Sequence, residues 1–182
     1  MIISDKQYKT IYADPPWDER GGGQIKRGAD RHYPLMHSSQ IKAMPVRDLI
    51  HPAGCHLYLW VTNNFLDTGI DVMKAWGFRY VTTITWFKEG NIGLGQYFRG
   101  VTEHCLFGVY GRLPMKLESG KRMQGITGFR APKREHSRKP EEMRKMIEKV
   151  SYGPRIELFA REESPGWDIW GNETDKFSQV SL

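Results

Sequence analysis

Apolar segments typical of β-strands alternate along this 182-residue chain with segments typical of helices, and this alternation is what most constrains the fold. The strand-like runs are residues 8–13, 55–61, 80–87, 104–110 and 155–159. Strands separated by helices over this length favour an α/β fold in which a mostly parallel sheet carries helices on both faces.

Residues that start or stop helices predict where the helices lie. A serine of the pair 38–39 is expected to cap a short helix that continues to residue 44, and an asparagine of the pair 63–64 to cap the next one. Gly77 is expected to end that second helix. Pro140 is predicted to open a third helix over residues 140–150, with two glutamates in its first turn.

The composition is that of one globular domain with a full core. No apolar stretch approaches the roughly 18 residues that a membrane span requires, and the charged N-terminus does not resemble a signal peptide. Cys55 and Cys105 lie in apolar runs, so we predict that both are reduced, buried and structural. These features favour a cytoplasmic protein without a membrane partner.

The net charge of +6 is concentrated in residues 112–139, called here the basic segment. This segment holds nine Lys or Arg residues against Glu118 and Glu135, which leaves 18 basic and 19 acidic residues in the rest of the chain. A basic loop on a neutral body is typical of a surface that binds a phosphate backbone. The alternative is a loop that only increases solubility.

The tetrapeptide Asp14-Pro15-Pro16-Trp17 directly follows the first strand-like run. Each proline restricts φ and lacks an N–H, so the tetrapeptide presents carbonyl acceptors beside one carboxylate and one large ring. Such a group suits the exocyclic amine of a nucleobase, with Asp14 and a proline carbonyl accepting its two N–H groups and Trp17 stacking on the ring. The alternative is an ordinary turn in which the tryptophan belongs to the core.

Two further segments are expected near this tetrapeptide. Residues 18–36 form a long loop with three successive glycines, and loops of that length in compact domains are usually functional or disordered. The last strand carries Glu157 near its start and Arg161 at its exit, followed by an aromatic-rich segment, residues 167–173. Because ligands bind beyond the carboxyl ends of the strands in α/β sheets, we expect Asp14, Arg161 and this segment around one crevice.

Other types of site are disfavoured. The glycines at 93 and 95 lack the G-x-G-x-x-G spacing of a dinucleotide site, so we interpret residues 90–100 as a flexible connector. The six histidines include no H-E-x-x-H arrangement, which argues against a metal site.

Several short motifs together resemble one family. They are Ala-Asp-Pro-Pro-Trp at 13–17, Tyr-Leu-Trp-Val-Thr at 58–62, Trp-Phe-Lys at 86–88, Glu-His-Cys-Leu at 103–106, Lys-Pro at 139–140, Ile-Glu-Leu-Phe-Ala-Arg at 156–161 and Trp-Gly-Asn-Glu at 170–173. In this order they resemble the MT-A70-like adenine methyltransferases, over nearly the whole chain. Ala160 departs from the pattern, since the family commonly has glycine before the arginine.

The resemblance implies a Rossmann-like class I methyltransferase sheet with permuted, beta-class motif order and S-adenosylmethionine as cofactor. The expected division is one methyltransferase domain over residues 1–173, with the basic segment as its nucleic-acid-binding loop, and a flexible tail at 174–182. The residues implied as catalytic are Asp14, Pro15, Pro16 and Trp17. Those implied to bind the cofactor are Asp14, Lys139, Glu157, Leu158, Phe159, Arg161, Asn172 and Glu173.

A third group is expected to contact the substrate. The resemblance implies Trp17, Tyr33, Trp86, Lys88 and Glu103, and the charge pattern adds Lys121, Arg122, Arg130, Lys133 and Arg134.

The function that follows is methylation of the exocyclic amine of adenine in DNA. DNA is favoured as the nucleic-acid partner because the chain matches a catalytic domain without the extensions expected for an RNA-processing complex. The alternatives are an RNA adenine methyltransferase and a catalytically inactive nucleic-acid-binding subunit of the same fold. A monomer or a homodimer is expected.

Overall fold

The computed structural model describes residues 5–18, 35–90, 92–93, 97–135 and 138–171. The strands are β1 (Thr10–Ala13), β2 (Cys55–Val61), β3 (Arg79–Glu89), β4 (Thr102–Tyr110), β5 (Leu117–Glu118), β6 (Lys121–Arg122), β7 (Gly128–Pro132), β8 (Arg155–Leu158) and β9 (Asp168–Trp170). The α-helices are α1 (Ser38–Lys42), α2 (Leu66–Ala75) and α3 (Glu141–Val150). Two short 3₁₀ helices span Val46–Leu49 and Asn63–Phe65.

Seven of these strands form one sheet in the order β7-β3-β4-β2-β1-β8-β9. β4 pairs antiparallel with both β2 and β3, whereas every other pairing in the sheet is parallel. Six strands of the described sheet therefore run in one direction and end at a common edge, called here the carboxyl edge. β4 begins at that edge because it runs the opposite way.

Helices cover both faces of the sheet. Successive side chains of a strand point to opposite faces, so each face packs against its helices in a separate core cluster. Alternate β1 residues divide in this way: Ile11 packs with α1 and α2 on one face, and Tyr12 packs with α3 on the other. The fully buried Met143 and Ile147 attach α3 to its face. The prediction of an α/β fold, with a mostly parallel sheet and helices on both of its faces as in Rossmann-like methyltransferases, is confirmed.

The helix ends follow the predictions only in part. Pro140 precedes α3 and Gly77, with φ of 90°, follows α2 as expected. The cap of α1 is His37 rather than a serine, because its ring accepts from the N–H of Ser39 while Gln40 accepts from the N–H of His37. Asn63 does not cap α2, since its side chain instead contacts Thr102 and His104.

The basic segment is more ordered than the predicted loop. Its residues 117–122 form the two-stranded β5–β6 hairpin, and β7 adds to the outer side of β3 in the main sheet. The sequence missed β7 because its exposed residues include Arg130, and only Ala131 of the strand is buried. Parallel hydrogen bonds to β3 therefore make this segment a strand, whereas its composition does not predict one.

Other expectations concern single residues or the membrane. Cys55 and Cys105 are free and buried, as predicted, and burial raises the pKa of both thiols. Among the described residues, no helix is long and apolar enough to cross a membrane. The expected tail at 174–182 and most of the long loop 18–36 lie outside the described residues.

Gly69 offers a test of the packing between α2 and the sheet. A methyl group at this position would lie 2.5 Å from Val61 Cγ1 and 2.9 Å from Leu106 Cδ1. Overpacking costs about 1 to 3 kcal/mol, whereas the helix propensity of alanine returns about 1 kcal/mol. Because both contacts are shorter than 3.0 Å, the cost lies near its upper end, and we expect Gly69→Ala to lower the free energy of unfolding in urea by about 2 kcal/mol. Gly100→Ala is the control, because its methyl group would meet open space. Equal stability of the two variants would show that α2 does not pack this closely.

Candidate active site at the carboxyl edge

The carboxyl edge brings together residues that are far apart in the sequence. Asp14 follows β1, Thr62 follows β2, Lys88 lies near the end of β3, and Lys133 follows β7. Glu103 joins them because β4 begins at this edge. All five line one cavity of about 340 Å³, a volume within the range of small-molecule sites.

A chain of alternating charges crosses the floor of this cavity. Lys139 Nζ lies 2.9 Å from Asp14 Oδ2 and 2.8 Å from Glu103 Oε1. Lys88 Nζ lies 2.7 Å from Glu103 Oε2. The chain therefore connects the tetrapeptide, β3, β4 and the end of the basic segment.

Glu103 and Lys139 stabilise each other in their charged forms. Burial by itself would raise the pKa of Glu103, but Lys139 and Lys88 outweigh burial and lower it to about 2. Burial would likewise lower the pKa of Lys139, yet Asp14 and Glu103 outweigh it and raise the pKa above the ordinary range of lysine. Glu103 and Lys139 are thus both charged throughout the neutral pH range.

Aromatic rings form the walls of the cavity. The ammonium groups of Lys139 and Lys88 lie over the rings of Trp60 and Trp86, at 5.4 and 5.3 Å from the ring centroids. Trp86 also donates its indole N–H to the carbonyl of Ala131 in β7, at 2.9 Å. The rings are therefore held in fixed orientations, as a binding wall requires.

Trp17 lines the same cavity but is only 5% exposed. Its indole N–H donates to the carbonyl of Trp60 at 2.9 Å, and its ring stacks on Phe65 with centroids 5.4 Å apart. The alternative interpretation of a core tryptophan describes its packing correctly. Stacking of Trp17 on a base stays a prediction.

Both proline carbonyls of the tetrapeptide already accept one hydrogen bond each. The N–H of Trp17 donates to Pro15 at 2.9 Å, and the N–H of Met36 donates to Pro16 at 2.8 Å. These bonds explain the rigidity of the turn. Because a carbonyl oxygen has two lone pairs, each can still accept a second donor, as the predicted role requires.

A second, narrower pocket of about 30 Å³ lies beside the first, at the end of β8, and is called here the β8 pocket. Glu157, Phe159 and Arg161 line it, and Asp14 and Lys139 line both pockets. Phe159 has φ of 63° and packs edge-on against Trp170, with centroids 5.4 Å apart. Asp14 and Arg161 therefore line one pocket, as predicted. The aromatic-rich segment does not join them as predicted, since none of its described residues 167–171 lines either pocket.

Not every predicted residue belongs to these pockets. Leu158 is fully buried in the core, and its carbonyl accepts from the N–H of Asp14 at 3.4 Å. Lys121 and Arg122 lie on the β5–β6 hairpin, and Arg130 lies over the ring of Phe87; none of the three lines either pocket. Pro16 of the tetrapeptide also lines neither pocket. Three further predicted residues, Tyr33, Asn172 and Glu173, lie outside the described residues.

The structure also adds residues that sequence reasoning did not select. Arg138 lines both pockets, and Arg144 and Glu162 line the narrower one. Arg138 is one of the basic residues of the basic segment, so the charge pattern of the sequence could have identified it. Arg144 occupies an ordinary helix position and Glu162 an ordinary loop position, so no sequence signal identified them.

Comparison with known proteins places this chain in a family. The MT-A70 family matches residues 8–173 of the chain. Human "N(6)-adenosine-methyltransferase catalytic subunit METTL3" is 30% identical over 179 residues, covering 93% of this chain and 28% of the human protein. A Drosophila melanogaster "N(6)-adenosine-methyltransferase MT-A70-like protein" is 31% identical, covering 93% of this chain and 27% of that protein.

A bacterial relative is matched over more of its length. "Type II methyltransferase M.MunI" from Mycoplasma sp. is 29% identical over 186 residues, covering 92% of this chain and 78% of that protein. The chain thus spans about a quarter of the length of the fly and human relatives. The matched residues span the tetrapeptide, the floor of the large cavity and the β8 pocket, and the chain belongs to the MT-A70 family.

Proposed function

We propose that this protein transfers a methyl group from S-adenosylmethionine to the exocyclic amine of adenine in DNA. The observation that carries the proposal is the position of Asp14, paired with Lys139 between the large aromatic-walled cavity and the β8 pocket. An acceptor at this boundary suits an amine that enters from one side and meets a methyl donor on the other.

The residues of the β8 pocket fit the cofactor by their chemistry. Glu157 provides a carboxylate for hydroxyl groups, Phe159 an aromatic surface, and Arg161 a cation for a carboxylate. When bound, S-adenosylmethionine supplies a methyl group that is already activated as a sulfonium. The protein's task is therefore to position the amine and to stabilise developing charge.

Asp14 performs this task in the proposed mechanism. The lone pair of the adenine amine is delocalised into the ring, so the amine is a weak nucleophile. Hydrogen bonds from its N–H groups to Asp14 and to a carbonyl of the tetrapeptide favour the geometry in which the lone pair points at the methyl group. Lys139 holds the Asp14 carboxylate in position through their ion pair at 2.9 Å. The aromatic walls exclude water from the cavity and provide surfaces for the base.

The rim of the cavity suits a nucleic-acid strand. Lys133, Arg134 and Arg138 line the cavity on the side of the basic segment. Three cations beside an aromatic cavity match a phosphate backbone whose base has left the stack. Lys121, Arg122 and Arg130 are proposed to contact the strand farther from the target.

DNA is proposed over RNA because the similarity to the type II methyltransferase extends over most of that protein. The similarity to the N(6)-adenosine-methyltransferases makes RNA the second candidate. An inactive binding subunit is less favoured, because the carboxylate and cation of the floor are both in place.

The substrate is tested with purified protein, labelled S-adenosylmethionine, and DNA and RNA oligonucleotides of matching sequence. We expect label in N6-methyladenine from DNA. Label in RNA alone would establish the second candidate. Binding without any transfer would contradict the enzymatic proposal, and sequencing of modified bases after expression in an unmethylated host would then serve as an independent check.

Asp14→Asn tests the role of the carboxylate. We expect methyl transfer to fall by about 10²- to 10³-fold, the usual effect of removing one polar group that acts in the transition state. S-adenosylhomocysteine binding, measured by calorimetry, is expected to weaken far less than methyl transfer falls, because the asparagine amide oxygen still accepts hydrogen bonds at the border of the β8 pocket. Wild-type turnover in this variant would remove Asp14 from its proposed role.

Lys133→Ala tests the rim. If Lys133 contacts a phosphate, the slope of log affinity for duplex DNA against log salt concentration should become shallower by about 0.9. Lys74→Ala is the matched control, because Lys74 is an exposed lysine on α2 whose side chain is 68% exposed. Equal slopes for the two variants would place the phosphate contacts elsewhere.

A further inference from the structure

A second chain of ion pairs lies beside the first, along the β8 pocket. Arg144 Nη2 donates to Glu157 Oε2 at 2.7 Å, and Arg144 Nη1 lies 3.8 Å from Glu162 Oε1. Glu162 in turn accepts from Arg138 Nε at 3.0 Å. This chain connects α3, the end of β8 and the basic segment.

The geometry of the Arg144–Glu157 pair is unusual for an interaction that only stabilises the fold. The two side chains are 19% and 13% exposed, so both charges are largely removed from water. Buried ion pairs often contribute no more to stability than apolar residues of the same size. In addition, Nε of Arg144 is buried with no hydrogen-bond partner among the described residues, which carries a further desolvation cost.

The surroundings of Glu157 suggest what the pair does. Burial is the largest influence on Glu157 and raises the pKa of its carboxyl, and Arg144 opposes this effect. An ionised carboxylate accepts hydrogen bonds with both oxygens, whereas a protonated one must also donate. Acidic residues near the carboxyl ends of parallel strands accept hydrogen bonds from ribose hydroxyls in nucleotide-binding sheets.

We infer that Arg144 is a positioning residue for the cofactor, which holds the Glu157 carboxylate in the orientation that accepts a ribose hydroxyl. Glu162 holds Arg144 from the other side. The inference rests on the proposed function, because it assumes that the β8 pocket binds the adenosine part of S-adenosylmethionine.

Other groups also bear on the protonation of Glu157. Those that line the same pocket are Tyr12 and Asp14 from β1 and its end, Arg138, Lys139, Glu141 and Arg144 around the start of α3, and Arg161 and Glu162 beyond β8. Among these, Arg144 donates a hydrogen bond to Glu157 at 2.7 Å.

Binding of S-adenosylhomocysteine and of its 2′-deoxy analogue, measured by calorimetry between pH 6 and 9, tests the inference. We expect Arg144→Met to weaken binding of S-adenosylhomocysteine at pH 7 by about tenfold or more, since truncating one partner of a buried charge pair is costly. The loss should shrink as the pH rises, because Glu157 then ionises without its partner. For the 2′-deoxy analogue the loss should be much smaller at every pH.

Two further variants complete the design. Lys145→Met is the matched control, since Lys145 lies on the same helix, is 77% exposed and pairs only distantly with Glu141, at 3.9 Å. It should bind both ligands like the wild type. Arg144→Lys keeps the charge but not the planar fork, so it should bind more weakly than the wild type while retaining the wild-type pH profile.

Several outcomes would overturn the inference. An equal loss for both ligands with an unchanged pH profile would make Arg144 a merely structural residue. If Arg144→Met does not fold, the same two binding measurements are made with Glu162→Gln. A role for Arg144 is contradicted if Glu162→Gln distinguishes S-adenosylhomocysteine from its 2′-deoxy analogue as well as the wild type does. Wild-type binding with Arg144→Met and Lys145→Met alike overturns this inference alone, whereas failure of the wild type to bind S-adenosylhomocysteine overturns the proposed cofactor as well.

Discussion

The ammonium group of Lys139 is the interaction on which the rest of the site depends. It lies between Asp14 and Glu103, so it joins the end of β1 to the start of β4 and both to the start of α3. Without this cation, the two carboxylates of the cavity floor would lose the counter-ion that they share. A single buried cation thus connects the two carboxylates and fixes the geometry of the cavity floor.

The direction of the strands explains why such distant residues meet. Six strands end at one edge, and the loops that follow them deliver Asp14, Thr62, Lys133 and Phe159 to the same region. The reversed strand β4 adds Glu103 from its beginning rather than from its end. One antiparallel strand in a parallel sheet therefore supplies the second carboxylate of the floor.

Each of the two pockets is lined by its own chain of ion pairs, and the two pockets adjoin each other. The ion pairs of Lys139 hold together the floor of the large cavity, and the ion pair of Arg144 with Glu157 lies along the β8 pocket. Residues near the start of α3 contribute to both, so the position of this helix on the sheet couples the two pockets. The apolar stripe of α3, in which Met143 and Ile147 are fully buried, fixes that position.

By itself the sequence determined the α/β class, the five main strands, the tetrapeptide at a strand end and the family resemblance, because periodicity, prolines and short motifs are local signals. It did not reveal β7, the cap by His37, or the burial of Trp17 against Phe65 and Trp60, since each of these depends on a neighbour distant in sequence. Above all, the sequence marked Asp14, Lys139 and Glu103 as separate site residues, and only the tertiary structure decided that they form one connected set of ion pairs. The reason is physical: pKa values and ion pairing are set by burial and by charges within a few ångströms, and those distances exist only after the strands have assembled into a sheet.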